Sequence, residues 1–302
     1  IGVHCFMLDF LPIDLSDKEW MTELFETGGA PSEEYNFVFA YIWRKTYGLT
    51  ATRMGDYVLV FSSKPTPSYL FPCGKGPLKP VLDAIIQDAK DRGIQLQLHC
   101  LMPEQIEQME AIYPGKFTYE LQRDYADYIY SADKLRTLSG KKLHAKRNHI
   151  NRFLENNPNW HYEPITQDNI GDCLLMNELW CKQSNCDENK DLQEEACAVR
   201  QAFAHYDELG FDGGLLYLGD KVIAYTIGSR LTPDTYMVHF EKAFGEIQGA
   251  YPMINQQFIQ HIGDGYQWIN RQDDMGEEGL RKAKLSYYPE KILDKHIAFY
   301  KG

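Results

Sequence analysis

The chain of 302 residues is 44% apolar and 13% aromatic and carries a formal net charge of −12. This length exceeds what one hydrophobic core usually serves, so two domains are expected. The acidity argues against a general nucleic-acid coat protein but leaves room for a local basic site.

In chain order, residues 4–14 alternate apolar and short polar groups and read as a strand. Ser16 or Asp17 then caps a helix running to about Thr27. Residues 33–54, crowded with Tyr, Phe and Trp, show no clear period. Gly55-Asp56 opens the apolar run Tyr57–Ser62, which a proline-rich turn joins to Ser68–Pro72 as a hairpin. Gly74-Lys75-Gly76 precedes an amphipathic helix, Leu78–Arg92, followed by strand Leu96–Leu101, helix Pro103–Ile112 and strand Phe117–Gln122. A charged helix is expected over Asp133–Asn157. Next come strand His161–Pro164, helices over 168–185 and 191–209, a hairpin Gly213–Gly228 turning at Gly219-Asp220, and strand Thr235–Phe240. Gly245 and Gly249 lead into helix Tyr251–Ile262, and strand Tyr266–Ile269, helix Glu278–Tyr287 and strand Leu293–Tyr300 complete the chain.

Hairpin, glycine turn, helix, strand, helix, strand therefore occurs twice, with Gly219-Asp220 falling 164 positions after Gly55-Asp56. The interleaving predicts an α/β (α+β mixed-sheet) protein. It fits two tandem GNAT-like (N-acyltransferase-type) domains, each a twisted mixed sheet flanked by helices. The expected division is 1–132, a basic connecting helix 133–158, and 159–302. A helix start after a glycine turn offers unpaired N–H groups to an anion. Glu246 makes the Phe244–Ala250 turn a poor pyrophosphate cradle, whereas Gly74-Lys75-Gly76 suits a phosphate better.

Charge is concentrated in two places. Residues 134–152 hold Lys134, Arg136, Lys141, Lys142, Lys146, Arg147 and Arg152 and no acid. Such a run either tracks phosphates or is a solvated helix face. Helical spacing puts Arg147 on the face of Leu143, Ile150 and Leu154, where an arginine snorkels or meets an anion. The second concentration follows the strand ending near Ile269. There Asp273 and Asp274 are candidates for general-base work, with Asp273 preferred, and Lys284 for orienting a charged partner; helix capping and a salt bridge to Lys284 or Arg281 compete. Glu241, a second candidate base, and His239 end the strand before the glycine turn.

Other chemistries find little footing. The sequence has no Gly-x-Ser-x-Gly elbow, P-loop or Gly-x-Gly-x-x-Gly run. Seven cysteines without a Cys-x-x-Cys pair, and nine histidines without a ligand-like spacing, speak against zinc and for a reduced chain. Cys181 and Cys186 read as buried or incidental thiols. No apolar run approaches about 18 residues and no basic-then-apolar leader opens the sequence, so no transmembrane segment is expected.

The segment Leu138-Ser-Gly-Lys-Lys-Leu-His-Ala-Lys-Arg-Asn148 and the segment Asn270-Arg-Gln-Asp-Asp-Met-Gly-Glu-Glu-Gly-Leu-Arg-Lys-Ala-Lys-Leu-Ser-Tyr-Tyr-Pro289 resemble the two signatures of the C-terminal domain of phosphatidylglycerol lysyltransferases. With the tandem layout, the resemblance covers most of the chain. It implies two packed GNAT-type domains, similar to Fem-type peptidyltransferases, and transfer of an aminoacyl group from aminoacyl-tRNA to a lipid headgroup. The expectation is a cytoplasmic acyltransferase taking aminoacyl-tRNA, or less readily acyl-CoA, as co-substrate, with no tightly bound cofactor and no metal. The acceptor is an amine or hydroxyl on a small molecule or lipid headgroup, and tRNA would lie along the basic helix. Lys142, Lys146, Arg147, Asn148, His239, Asn270, Arg271, Arg281, Lys282 and Tyr287 are the candidate substrate-binding residues. Asp273, Glu241 and Lys284 are the candidate catalytic ones. The competing expectation is a non-catalytic ligand-binding or regulatory module that keeps the tandem fold.

Overall fold

The computed structural model describes residues 8–302; positions 4–7 of the first expected strand lie outside them. The chain forms two compact units, one running to Asp127 and regaining Leu293–Gly302, the other comprising Tyr128–Ile292.

The first unit opens with β1 (Leu11–Pro12) and α1 (Lys18–Gly28). The aperiodic aromatic stretch then resolves into α2 (Phe37–Tyr47) and β2 (Leu49–Met54). The Asn36 side chain caps α2 by accepting the Phe39 N–H at 2.9 Å, and Gly48, left-handed at φ 58°, ends it. The rings of Phe39 and Trp43, and of Trp43 and Tyr47, meet in tilted contacts four residues apart, so residues of high strand propensity form a helix here. The elements β3 (Tyr57–Ser62), β4 (Ser68–Leu70), β5 (Cys73–Gly74), α3 (Leu78–Arg92), β6 (Gln97–Leu101), α4 (Pro103–Ile112) and β7 (Phe117–Leu121) follow. Gly74 is required by close approach: a Cβ there would lie 2.0 Å from the Asp56 carbonyl. The Lys75 N–H is spent on that same carbonyl, at 3.2 Å.

The second unit begins with β8 (Asp127–Ser131), which sequence reasoning missed. The expected long basic helix is two helices, α5 (Ala132–Thr137) and α6 (His144–Asn156). They are broken where Leu138 adopts φ 51° and Gly140 φ 91°. Then come β9 (Trp160–Pro164), α7 (Ile170–Gln183), α8 (Lys190–Ala204) and the short α9 (Tyr206–Leu209). The rest is β10 (Asp212–Leu218), β11 (Lys221–Thr232), β12 (Thr235–Ala243), α10 (Ala250–His261), β13 (Trp268–Asn270), α11 (Glu278–Leu285) and β14 (Lys291–Leu293). Cys181 and Cys186 are not incidental thiols: they form a disulfide. The turn past α7, with Asn185 left-handed, brings their Cα atoms within 5.1 Å.

A last strand, β15 (His296–Tyr300), returns to the first unit. The first sheet runs β1-β2-β3-β4-β6-β15-β7, with β5 beside β3; the second runs β14-β8-β13-β12-β11-β10-β9. In each, an antiparallel four-strand meander meets one parallel neighbour, β4 with β6 and β12 with β13. The two orders superpose position by position, including the Gly55 and Gly219 hairpins. In each sheet the penultimate strand comes from the other half of the chain. Just before β15, the Lys295 ammonium, 2% exposed, meets Asp127 at 2.7 Å, Glu34 at 2.8 Å and Glu33 at 3.5 Å. These three carboxylates lie close enough together to share a cation, and the lysine is that cation.

Candidate functional site

In the second unit β12 and β13 run parallel as far as the Met237–Asn270 pair. Beyond it the chain leaves β13, the Arg271 N–H bonding the Tyr128 carbonyl at 3.0 Å. Residues 271–277 then make a tight connection with Gln272 at φ 62°, Met275 at φ 52° and Gly276 at φ 76°. Its braces are internal. The fully buried Asp274 accepts from Arg281 Nε at 2.8 Å and Nη2 at 2.9 Å, from the Tyr128 hydroxyl at 2.5 Å and from the Gly276 N–H at 2.9 Å. Burial works against its charge, yet these donors hold the carboxyl well below the usual carboxylate range. Lys284 Nζ donates to the carbonyls of Arg271, at 2.7 Å, and Asp273. Asn270, buried, accepts the Gln272 N–H at 2.7 Å.

The result is a fixed Arg271. Its Nη2 donates to Glu241 Oε1 at 3.0 Å, the two side chains being 12% and 11% exposed. Glu241 Oε2 accepts from Asn255 Nδ2 on α10, also at 3.0 Å. Two buried atoms beside this bridge meet no partner in hydrogen-bonding geometry: the donor Arg271 Nη1 and the acceptor Asn255 Oδ1. The guanidinium carbon lies 4.8 Å from the centroid of the Tyr287 ring, and Lys146 Nζ lies 4.1 Å from the same centroid. Burial, and then the charge of Arg271, lower the proton affinity of Lys146. Burial likewise pushes the Tyr287 hydroxyl up to about 12, against the pull of Arg271. Two cations and one carboxylate thus converge on one buried tyrosine, a balance that favours an incoming negative charge.

Tyr287 also lines a cleft of about 690 Å³. Its walls carry Lys134, Lys141 and Lys142 from α5 and the α5–α6 loop, Leu285 and Tyr288 from the far end of the second signature, and Glu290 and Ile292 beyond it, Glu290 pairing with Lys134. Lys142 Nζ stands 5.2 Å from the Tyr288 ring centroid. The break at Leu138 makes this possible: a continuous helix would have carried Lys141 and Lys142 along a rod, whereas the loop folds them against α11.

Of the candidate residues, the structure brings together Glu241, Arg271, Tyr287 and Lys146, with Lys142 at the cleft. Others lie elsewhere. Arg147 turns back onto the carbonyls of Leu138 and Gly140, bracing the loop. Asn148 is exposed and pairs with His144 at 3.2 Å. Lys282 is exposed on α11, and Arg281 is taken by Asp274. His239 is the extra residue of a β-bulge, where pairing passes from Ile227–Phe240 to Gly228–Val238. It bonds Ser229 at 2.8 Å, and burial pushes its imidazole down to about 3. Of the two aspartates, Asp274 rather than Asp273 is the buried one. Sequence reasoning missed Asn255 and Tyr130, whose ring centroid lies 5.5 Å from the Arg271 guanidinium. One signal for Asn255 was available: it is a polar residue amid the buried Met253, Ile254, Phe258 and Ile259 of α10.

The two sheets, alike in strand order, make this a tandem GNAT-like protein, and its sequence family is one of acyltransferase type. The chain belongs to the family of phosphatidylglycerol lysyltransferase C-terminal domains, whose sequence profile matches residues 28–299. It is similar to a crystal structure of a conserved protein of unknown function from Bacteroides thetaiotaomicron VPI-5482, with 38% identity, 98% of this chain and 100% of that one covered, and a TM-score of 0.95. The C-terminal domain of an Agrobacterium fabrum protein described as a lysylphosphatidylglycerol synthetase shares the fold at 12% identity, with 95% and 92% covered and a TM-score of 0.67. So does L-PGS from Bacillus licheniformis, at 13% identity, with 90% and 93% covered and a TM-score of 0.59. Among the described residues no helix is long and apolar enough to cross a membrane.

Proposed function

We propose that the second unit is an aminoacyltransferase site, taking an aminoacyl group from the ester of an aminoacyl-tRNA and passing it to a hydroxyl or amine. Arg271 carries this reading: a guanidinium anchored on Glu241, with a buried N–H left over. Acyl transfer builds negative charge on the carbonyl oxygen as the acceptor adds, and that charge is lost when the bond to the tRNA ribose oxygen breaks. Arg271 Nη1 is the donor for this oxyanion. The acceptor's proton passes to the leaving ribose oxygen, and Lys146, held over the Tyr287 ring beside Arg271, is the side chain placed to relay it, burial and then the charge of Arg271 lowering its proton affinity. Glu241, with both oxygens engaged, fixes Arg271. Lys284 and Asp274 with Arg281 keep the Arg271 backbone in place, and Asp273 contributes its carbonyl to that brace.

The cleft's mixture of lysines, tyrosines and aliphatic side chains suits a partner with a phosphate next to an apolar or stacking group. The 3′ end of tRNA and a phospholipid headgroup both have that character. The family description and the relatives named for lysylphosphatidylglycerol synthesis favour a lipid headgroup as acceptor. A tRNA donor in turn favours the cytoplasm. Acyl-CoA is less suited as donor. Gly249, at the start of α10, packs so tightly on α6 that a Cβ there would lie 2.4 Å from the His149 carbonyl. Glu246, exposed in the same turn, would repel a pyrophosphate. A non-catalytic binding module draws its support from that same acidic turn.

The discriminating experiment supplies labelled aminoacyl-tRNA, or acetyl-CoA with a thiol reagent, together with anionic phospholipid vesicles. Loss of label from tRNA into the lipid extract is the expected result. Thiol release instead would favour acyl-CoA, and saturable binding without turnover the binding module.

A further inference from the structure

We infer that the Cys181–Cys186 disulfide is a thiol-operated clasp that sets how firmly α7 and α8 grip β12, the strand carrying Glu241. The clasp regulates the site proposed above and rests on that reading, because a tRNA donor places the chain among cellular thiols. A disulfide in such surroundings opens and closes with the thiol pool, and its usual use there is sensing or catalysis.

The grip is built from residues on both sides of the bond. Across β11 and β12, Tyr225 pairs with Lys242 and Thr226 with Glu241. Successive residues of a strand face opposite ways, and the partners agree. Glu241 meets Asn255 of α10, whereas Tyr225 donates its hydroxyl to Asn177 of α7 at 2.7 Å. Lys242, buried on the α7 side, has its Nζ 3.9 Å from the Trp180 ring centroid and donates to Glu195 of α8. Trp180 immediately precedes Cys181, and Glu195 follows Cys186 on the next helix. The disulfide spans five positions and closes the turn between these two partners, where Asn185 is left-handed at φ 53°. The first turns of α7 have anchors of their own, Asp172 accepting from the Tyr217 hydroxyl at 3.2 Å and Cys173 and Met176 buried. Opening the bond therefore loosens the last turn, which carries Trp180, and Lys242 loses one side of its grip.

The exchange step balances with a dithiol as reductant. Its thiolate attacks the sulfur of Cys181, which is half-buried, whereas Cys186 is buried. The S–S bond breaks, and Cys186 leaves as a thiolate and takes a proton. The second thiol of the reductant then displaces Cys181, so that the reductant ends as a disulfide and the chain as two thiols.

The test treats the intact chain with dithiothreitol or with oxidised glutathione, reads the cysteines by thiol labelling, and follows amide hydrogen exchange. Dithiothreitol should open the bond in the folded chain and oxidised glutathione close it. In the reduced form exchange over residues 179–196 should quicken by about 10–50-fold, the opening that closure of a short loop suppresses, and the change should reach residues 241–243. The double variant Cys181→Ala, Cys186→Ala should behave as reduced wild type under both conditions. Consumption of aminoacyl-tRNA should be severalfold slower in the reduced form. A bond that resists dithiothreitol in the folded chain, free thiols after oxidised glutathione, or faster exchange that stops short of β12 would overturn the inference. Equal transfer rates in the two forms would also overturn it and leave the transfer reading standing. A redox-dependent change at β12 in a chain that leaves aminoacyl-tRNA intact would remove the transfer reading and keep the clasp.

Discussion

A buried guanidinium with one arm on a carboxylate and the other idle is expensive to maintain, and Arg271 is held that way from several directions. Removing a single oxyanion donor typically lowers kcat by about 10²–10³-fold. Arg271→Ala should do so, and Arg271→Lys should recover little, because an ammonium cannot hold Glu241 and reach a second oxygen with the same fork. Asp274 makes a different prediction. Its proton affinity is lower folded than unfolded, so its contribution is present above the unfolded carboxylate's pKa of about 4 and disappears as pH falls below it. Asp274→Asn should cost about 1.5–3 kcal/mol in denaturant melts at neutral pH, the range for hydrogen bonds to a charged group, and the deficit should narrow in acid. Some of this residue-level detail was legible. The spacing of Asn270–Pro289 marked Arg271, Lys284 and Tyr287 as neighbours of a core. Which aspartate turns inward was not legible, because positive φ at Gln272 and Met275 breaks the alternation from which the choice is read.

At the scale of elements, the α5–α6 loop and the Gly245–Gly249 turn decide what reaches the site. Regular periodicity made helices such as Leu78–Arg92 and Pro103–Ile112 readable to the residue. The basic stretch 133–157 misled because its polar composition suits a helix throughout, while the break rests on Leu138 taking a left-handed conformation stabilised by burial at 1% exposure. Gly249 tests the packing of α10 on α6. With φ 82° and the His149 carbonyl in the path of any Cβ, Gly249→Ala should destabilise by about 1–3 kcal/mol. Gly245→Ala, with open space around it, should be nearly neutral. Thermal melts of the two variants make the comparison.

At the scale of the whole molecule, the duplicated strand order was legible from repeated hairpins, but the exchange of β8 and β15 was not. Short strands of similar composition carry no label for the sheet they will join, and tertiary pairing makes the choice. Lys295 pins β15 into the first sheet. Burial opposes its charge, but Asp127, Glu34 and Glu33 raise its proton affinity, so its contribution is full below the unfolded lysine's pKa and lost as pH climbs through the folded value. Lys295→Met leaves three carboxylates together without a cation and should cost about 3–5 kcal/mol at neutral pH. The loss should shrink on acidification as those carboxylates take up protons. Whether the Arg271–Glu241–Lys146 site transfers an aminoacyl group is decided by single-turnover consumption of labelled aminoacyl-tRNA in the presence of phospholipid vesicles. The predicted result is movement of label into lipid by the wild-type chain and a loss of about 10²-fold or more in folded Arg271→Ala. Label that stays on tRNA with wild-type protein, or moves equally fast with Arg271→Ala, would contradict it.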